Sequence, residues 1–97
     1  MKLDDRICYC YHVSLRKLVN FARRERPVRA SQMSECLGAG TGCGWCIPIL
    51  KKIYADVRAE QAYQDGTSVP GLPETAEEYA TARQSYLKSG KEKNKFE

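Results

Sequence analysis

Apolar residues in the first half of the chain recur at the three- and four-residue spacing of an amphipathic helix. The first such stripe follows Ser14, whose hydroxyl suits a helix N-cap, and it stops before Pro27, which disfavours helical conformation in the preceding residue. We therefore predict a helix over residues 15–25. The residues of its apolar stripe are Leu15, Leu18, Val19 and Ala22.

A second, shorter helix is predicted a few residues later. Ser31 would be its N-cap, Met33 and Leu37 would lie on one side, and Gly38 would end it, which gives a helix over about 32–37. Two short helices joined by a tight connection have the form of a helix-turn-helix. Nucleic-acid binding is therefore one alternative function at this point.

A third helix is predicted over about residues 45–64. Pro48 is tolerated only in the first turn of a helix, so this helix begins close to Cys46. The dipole of the helix and its unpaired N–H groups would then stabilise thiolates at that end. Its apolar positions are Cys46, Ile47, Leu50, Ile53, Tyr54 and Val57.

The pattern weakens in the last third of the chain. Residues 65–73 have the composition of a linker, and Thr75-Ala-Glu-Glu78 resembles a capping box that opens a fourth helix ending at about Lys88. The apolar stripe of that helix is weak, so docking against the core and partial disorder both remain open. Residues 91–97 are expected to form a mobile tail.

Length and composition limit the chain to one small folded domain. It has 97 residues, of which 42% are hydrophobic and 29% charged, as in an ordinary soluble protein. We place the folded domain at residues 1–64 and assign residues 65–97 to the linker, the C-terminal helix and the tail. The predicted elements make the fold all-α, with about three core helices and the C-terminal helix as a fourth.

Hydropathy and cysteine usage indicate a cytoplasmic protein. No apolar run approaches the roughly 20 residues that span a bilayer, and the N-terminal residues lack the apolar core of a signal peptide. We therefore expect no membrane segment and no secretion. In a non-secreted chain, cysteines favour metal binding or redox chemistry over structural disulfides.

The formal net charge of +4 is concentrated in the first two thirds of the chain. Residues 1–64 contain eleven Lys/Arg against six Asp/Glu, whereas residues 65–97 contain five against six. A basic patch of this kind can attract an acidic protein surface, a phosphate or nucleic acid, but it can equally be a solvated helix face. The residues of this basic patch are Arg23, Arg24, Arg26, Arg29, Lys51 and Lys52.

Four of the five cysteines form two close pairs, a C-x-C pair and a C-x-x-C pair separated by 32 residues. An extended segment over residues 1–12 presents the first pair. A glycine-rich loop precedes the second pair and permits the tight turns and close backbone approach that a shared ligand requires. We interpret the four thiolates as one metal centre. The candidate ligands are Cys8, Cys10, Cys43 and Cys46.

Four thiolates suit tetrahedral zinc and an iron–sulfur cluster almost equally. Zinc ribbons usually present two C-x₂₋₄-C turns on paired hairpins, and the sequence contains no hairpin signal. The glycine-rich loop that runs into a helix N-terminus instead offers many N–H donors to sulfur, which favours a cluster. Zinc remains the alternative cofactor.

These motifs together resemble the BFD-like (bacterioferritin-associated-ferredoxin-like) 2Fe–2S domain family. The resemblance covers about residues 5–60 and includes a helix-turn-helix of about thirty residues between the two cysteine motifs. Residues 73–97 are not part of the family pattern. The matching stretches are Ile7-Cys8-Tyr-Cys10 and Leu37-Gly-Ala-Gly-Thr-Gly-Cys43-Gly-Trp-Cys46.

The resemblance implies a small all-α fold in which the four paired cysteines hold one 2Fe–2S cluster. It implies a one-electron carrier with a protein redox partner, for which bacterioferritin is one candidate. Members of the family also occur as modules of nitrite reductases, copper-handling proteins and nitrogen-fixation scaffold proteins. We expect a monomer. The basic patch would favour the reduced cluster if it lies near it.

We do not expect an enzyme. The chain lacks a catalytic triad and a carboxylate pair, and its glycine loop lacks the Lys-Ser/Thr ending of a P-loop. Two alternatives of other classes remain. One is a structural or regulatory module that binds zinc or an iron–sulfur sensor cluster, and the other is the helix-turn-helix nucleic-acid binder. The region between the helices contains arginines but no clear set of Asn/Gln base readers, which disfavours the latter.

Several residues near the motifs have simpler explanations than ligation. Cys36 is expected to be a small buried hydrophobic residue. His12 is not expected to bind the cluster, since four cysteines already fill its sites. Trp45 is expected to pack, and Thr41 to form a hydrogen bond within the loop. The residues expected to line the cluster pocket are Tyr9 and Tyr11.

Overall fold

The computed structural model describes residues 1–42, 44–61, 63, 69 and 71–89. Cys43, most of the predicted linker and the whole predicted tail therefore lie outside the described residues. The small, mostly helical fold predicted from the sequence is confirmed. The elements in chain order are β1 (Arg6–Cys8), β2 (Val13–Ser14), α1 (Leu15–Glu25), a 3₁₀ helix (Ala30–Glu35), α2 (Ile47–Arg58) and α3 (Ala76–Lys88).

The strands β1 and β2 form a short antiparallel hairpin in which Cys8 pairs with Val13. The extended segment predicted over residues 1–12 thus contributes β1 to a hairpin for which the sequence contains no signal. Ile7 and Val13 bury their side chains completely, which favours the pairing. The chain reverses between them through His12, which adopts a left-handed conformation with φ of 56°. An alternation this short could not reveal a strand pair in the sequence.

The first predicted helix is confirmed with its bounds. The Ser14 hydroxyl accepts a hydrogen bond from the Lys17 backbone N–H at 3.3 Å, as expected of an N-cap. At the other end Arg26 is left-handed, and its N–H donates to the Ala22 carbonyl at 3.0 Å. Helix α1 therefore ends just before Pro27, as its sequence predicts.

The second predicted helix is a 3₁₀ helix that begins earlier than expected. Its N-terminal end is stabilised by the Gln32 side chain, whose Oε1 accepts hydrogen bonds from the backbone N–H groups of Val28 at 2.7 Å and Arg29 at 3.2 Å. Met33 is completely buried, as predicted. Leu37 is 60% exposed and left-handed, so the prediction that it shares the buried side of this helix is wrong.

Helix α2 is shorter than its sequence pattern suggested. It starts at Ile47, with Cys46 at the N-cap, and ends at Arg58. Two residues later, Glu60 adopts a left-handed conformation with φ of 61°. Its buried face packs against α1 and the 3₁₀ helix to form one continuous core. Completely buried side chains of this core include Leu15, Leu18, Met33, Leu50 and Ile53.

Helix α3 docks on the core, which decides between the two alternatives that its weak apolar stripe left open. Thr75 caps it as predicted, since its hydroxyl accepts the Glu78 N–H at 3.1 Å. Tyr79 is the buried residue of this helix, with only 2% of its surface exposed. The segment before α3 is also attached to the core, because the Met1 nitrogen donates to the carbonyls of Pro73 and Glu74 at 2.6 and 2.7 Å.

None of the helices formed by the described residues combines the length and apolar character needed to cross a membrane.

A polar cluster attaches Tyr63 to α2. The Lys52 ammonium lies 2.6 Å from Asp56 Oδ2, and the Tyr63 hydroxyl donates to the same oxygen at 2.5 Å. Burial raises the pKa of Asp56, but both hydrogen bonds and the Lys52 charge lower it by more, so the pKa lies below its ordinary value. Burial and the hydrogen bond to Asp56 raise the pKa of Tyr63.

We predict that this cluster makes stability depend on acid pH through Asp56. Because its folded-state pKa is depressed, its contribution is fully present above the carboxyl pKa of the unfolded chain and is lost as pH falls through the folded pKa. Asp56→Asn should lower the free energy of unfolding by about 1 kcal/mol at neutral pH and by less below about pH 4. Urea unfolding followed by circular dichroism at several pH values measures this.

The control is Asp4→Asn, which removes a carboxylate that pairs with Arg16 at 2.8 Å but is 83% exposed. Exposed pairs contribute little, so this variant should stay close to the wild type at neutral pH. Equal losses of stability in the two variants would contradict the assigned role of Asp56.

Candidate iron–sulfur site

The first cysteine pair lies at the end of β1 and in the turn that follows. Cys8 ends the strand and is 3% exposed, whereas Cys10 lies in the turn and is exposed. The turn is tight, because the chain must reverse between the two strands within residues 9–12. The hairpin therefore places one sulfur of the pair inside the domain and the other at its surface.

The loop between the 3₁₀ helix and α2 is built from left-handed residues. Gly38, Gly40 and Gly44 have φ of 83°, 84° and 82°, a region that only glycine adopts at little cost. The Thr41 N–H and hydroxyl both donate to the Gly38 carbonyl, at 3.1 and 2.7 Å, which confirms the predicted hydrogen bond within the loop. These bonds fold the loop back toward the hairpin.

Gly42 is the point at which the loop meets the first cysteine pair. A Cβ atom added to Gly42 would lie 2.5 Å from Cys10 Sγ and 2.6 Å from its Cβ, so no residue with a side chain fits here. Gly42 directly precedes Cys43 in the chain. The backbone next to the second pair therefore lies against a sulfur of the first pair, 32 residues away in sequence.

Cys46 lies at the N-cap of α2 and is 3% exposed. The expectation that unpaired N–H groups surround its thiolate is wrong for the first turn. Ile47 N–H donates to the Gly44 carbonyl and Ile49 N–H to the Cys46 carbonyl, while Pro48 has no N–H. The helix dipole remains, and its positive end favours a thiolate at Cys46.

Cys36 lies apart from the two pairs, in line with its predicted role as a small buried residue. It is 6% exposed, and its thiol donates to the Lys17 carbonyl of α1 at 3.8 Å. Burial raises the pKa of the Cys36 thiol, although the nearby charges of Arg24 and Lys17 offset part of this effect. A neutral thiol bound to another helix is a poor metal ligand.

An aromatic cluster flanks both pairs and was not predicted from the sequence as part of the site. Trp45 packs against Tyr79 and Tyr86 of α3, with ring centroids 5.5 and 5.2 Å apart. Its indole Nε1 is buried and finds no acceptor among the described residues. Buried indole N–H groups usually have a partner, so this donor, between the two cysteines of the second motif, fits a sulfur acceptor.

Within the described part of the chain, no three His, Cys, Asp or Glu side chains converge on one point. Cys8, Cys10 and Cys46 are all described and do not converge on a single metal position, and Cys43 lies outside the described part, so the four-cysteine ligand set remains a prediction. The residues that are described fit a cluster in two respects. The space against Cys10 is kept free of side chains by Gly42, and Trp45 offers a buried donor.

Part of the basic patch lies far from Cys46. Arg26 lines a surface groove together with Arg58, at the C-terminal end of α2. That end is about 18 Å from Cys46 along the helix, a little over twice the Debye length at physiological salt. The charges of the groove are therefore screened from Cys46. Lys51 and Lys52 lie within two turns of Cys46, and Lys52 is paired with Asp56.

Comparisons with known proteins decide the family. A model of the BFD-like [2Fe-2S] binding domain matches residues 6–56, which is more than half of the chain. The chain belongs to this family. Domains of the BFD-like family bind a 2Fe–2S cluster and are of the electron-carrier type, so this chain contains an iron–sulfur electron-transfer module.

The curated relatives are far longer than this BFD-like chain. It is 33% identical over 51 residues to a protein named nitrite reductase [NAD(P)H] from Neurospora crassa, which covers 53% of the chain and 4% of that protein. It is also 33% identical over 54 residues to the nitrite reductase [NAD(P)H] of Emericella nidulans, covering 54% of the chain and 5% of that protein. No solved structure matches the chain. The similarity concerns a single module of those enzymes.

We predict that Gly42→Ala prevents stable cluster binding. The added methyl group would occupy the space of Cys10 Sγ, so the thiol must move away from the second pair. The backbone at Gly42 is not left-handed, so the substitution tests space alone. Iron content and visible absorption after anaerobic purification should fall by about tenfold or more, since displaced ligands lose affinity steeply.

The control is Gly71→Ala, where an added Cβ would lie 3.0 Å from Lys52 Cε and φ is 86°. The added methyl group would crowd the Lys52 side chain, and the positive φ would strain the backbone. Neither effect involves a candidate ligand. This variant should lose stability and keep the cluster. Full cluster content in Gly42→Ala would show that Cys10 need not lie against the loop.

Proposed function

We propose that one 2Fe–2S cluster is held by the thiolates of Cys8, Cys10, Cys43 and Cys46. The contact between Gly42 and Cys10 supports this most directly, because it brings the C-x-C segment to the residue before the C-x-x-C segment. Each iron would be held by one pair, since the cysteines of a pair are neighbours in the chain. When bound, the cluster supplies a site that accepts and releases one electron.

The protein stabilises the charge that reduction adds. Cys46 lies at the positive end of α2, and Trp45, the residue before it, has a buried N–H donor. The helix dipole favours negative charge on the Cys46 sulfur, and a hydrogen bond from Trp45 to sulfur would act in the same direction.

The partner is proposed to dock on the open side of the site, beside Cys10. Tyr11 is 46% exposed there, and its ring lies against Gly38, the residue that follows the 60% exposed Leu37 in the chain. Exposed apolar residues next to a ligand allow a partner to exclude water close to the cluster. A short distance between redox centres follows from docking on this side.

The basic patch is proposed to steer an acidic partner toward the domain. Arg23, Arg26 and Arg29 are exposed near the end of α1. Arg58 stacks on Tyr54, with its guanidinium 5.5 Å from the ring centroid. Exposed charges of one sign raise the association rate and lose this effect at high salt. The same residues could bind a free phosphate, which would compete with an acidic partner.

Bacterioferritin is the candidate recipient that the family resemblance suggests. A second candidate is a larger reductase, because the relatives named nitrite reductase contain a matching module within a much longer chain. Either protein could accept electrons from a small carrier, and the two differ in the reaction that the electron then drives. Reduced bacterioferritin would release ferrous iron, which is directly measurable.

We predict that replacing any one paired cysteine by serine removes or alters the cluster, whereas Cys36→Ser does not. Cys43→Ser and Cys8→Ser should bleach or shift the visible absorption of anaerobically purified protein. Cys36→Ser should keep both iron and colour, since its thiol bonds to the Lys17 carbonyl. An unchanged spectrum in Cys43→Ser, or a bleached one in Cys36→Ser, would reject this ligand set.

We predict that Leu37→Asp slows electron transfer to the partner and leaves the cluster intact. A carboxylate here would repel an acidic partner, and Asp tolerates the left-handed conformation of this position better than most residues. Ferrous iron release from ferric-loaded bacterioferritin, driven by the reduced chain, should slow by about tenfold.

The matched control is Leu87→Asp, which places the same charge on another exposed apolar residue, 43% exposed and located on α3, outside the basic patch. It should slow transfer by less than Leu37→Asp. Equal slowing would place the docking surface elsewhere, and a wild-type chain that releases no iron would exclude bacterioferritin as the partner.

A further inference from the structure

Helix α3 lies outside residues 6–56, the part of the chain that the family model covers. The family match therefore does not account for the contacts of this helix. Tyr79, Arg83 and Tyr86 are spaced by four and three residues, so they share one face of the helix. This face, defined by these three residues, is directed at the two cysteine motifs.

Tyr79 contacts both motifs at once. Its hydroxyl donates to the carbonyl of Ile7, the residue before Cys8, at 2.6 Å in a buried environment. Its ring lies 5.7 Å from that of Tyr9 and 5.5 Å from that of Trp45, in tilted arrangements favourable for aromatic pairs. One side chain thus touches the middle of the C-x-C motif and the middle of the C-x-x-C motif.

The other two residues of this face contact the same two aromatic rings, those of Trp45 and Tyr9. The Tyr86 ring lies 5.2 Å from that of Trp45, and the Arg83 guanidinium lies 5.2 Å from the Tyr9 ring centroid. Tyr9 separates Cys8 from Cys10, and Trp45 directly precedes Cys46. Any movement of one cysteine pair relative to the other must therefore disturb contacts with α3.

We propose that α3 clamps the two cysteine motifs in register, with Tyr79 as the positioning residue that holds Ile7 and Tyr9 of the first motif against Trp45 of the second. The inference rests on the proposed function, since it assigns α3 a role toward the cluster that the two motifs hold. The clamp covers the Trp45 side of the site and leaves the Cys10 side open to the partner.

The clamp has a consequence for cluster lifetime. Cluster loss requires the two pairs to separate and water or a chelator to enter. Because α3 contacts both cysteine motifs, it opposes their separation, which must precede the entry of water or a chelator. A variant that weakens these contacts should release the cluster faster, including under conditions in which the fold itself remains intact.

The test compares Tyr79→Phe with Tyr54→Phe in the full-length, cluster-loaded chain. Each substitution removes one hydroxyl that donates to a backbone carbonyl, that of Ile7 at 2.6 Å for Tyr79 and that of Val28 at 2.8 Å for Tyr54. Tyr54 lies on α2 beside the basic groove, away from α3. Comparing the two variants therefore distinguishes the effect of losing one tyrosine hydrogen bond from the effect of weakening the contacts of α3.

The rate of cluster release to an iron chelator is measured by visible absorption, alongside unfolding by urea. Tyr79→Phe should release the cluster about fivefold faster than the wild type, as expected for one lost buried hydrogen bond, and Tyr54→Phe less than about twofold faster. Tyr79→Ala, which also removes the ring contacts, should be faster still. Visible circular dichroism should change in both Tyr79 variants and stay constant in Tyr54→Phe.

Trp45 is the sole tryptophan, so its fluorescence reports docking of α3 without reference to electron transfer. Its emission should shift to longer wavelength in Tyr79→Ala and stay constant in Tyr54→Phe. Equal release rates in Tyr79→Phe and Tyr54→Phe, from a wild type that does hold a cluster, would overturn the clamp alone. A wild type that takes up no iron and sulfide would overturn the proposed function, and the clamp with it.

Discussion

The structure depends on one contact, in which Gly42 lies against Cys10 although the two residues are 32 positions apart in the chain. A side chain at position 42 would occupy the space of the Cys10 sulfur, so only glycine permits this approach. The hairpin carries Cys10 to the contact, and the loop with left-handed glycines carries Gly42. Helices α1 and α2 pack in a single core that also contains Cys8 and Cys46.

Helix α2 separates two kinds of chemistry. Its N-terminal end holds Cys46 in a buried position, and its C-terminal end carries the exposed arginines. The groove lies beyond the screening length from Cys46, so in the proposed function it would attract a partner without setting the potential. Helix α3 covers the Trp45 side of the site, and the surface around the exposed Cys10 is the proposed route for electrons.

Local sequence signals predict the bounds and caps of several helices. They do not predict contacts between residues that are distant in the chain. The bounds of α1 follow from Ser14 and the residue before Pro27, and the Thr75 cap of α3 was equally clear. The hairpin was missed because so short a pairing leaves no periodic pattern. The second helix was predicted, but its 3₁₀ form and earlier start were not, because the hydrogen bonds from the Val28 and Arg29 N–H groups to the Gln32 side chain have no local sequence signal. The candidate ligands follow from spacing alone. The docking of α3 depends on Tyr79 meeting Tyr9 and Trp45, which no local pattern contains.

The most direct test of the central claim is the iron and acid-labile sulfide content of anaerobically purified chain, with electron paramagnetic resonance after dithionite. The account predicts about two irons and two sulfides per chain and the spectrum of a reduced 2Fe–2S cluster. One zinc per chain with no visible absorption, persisting after iron-replete expression and attempted reconstitution, would contradict it and indicate a structural or regulatory metal site.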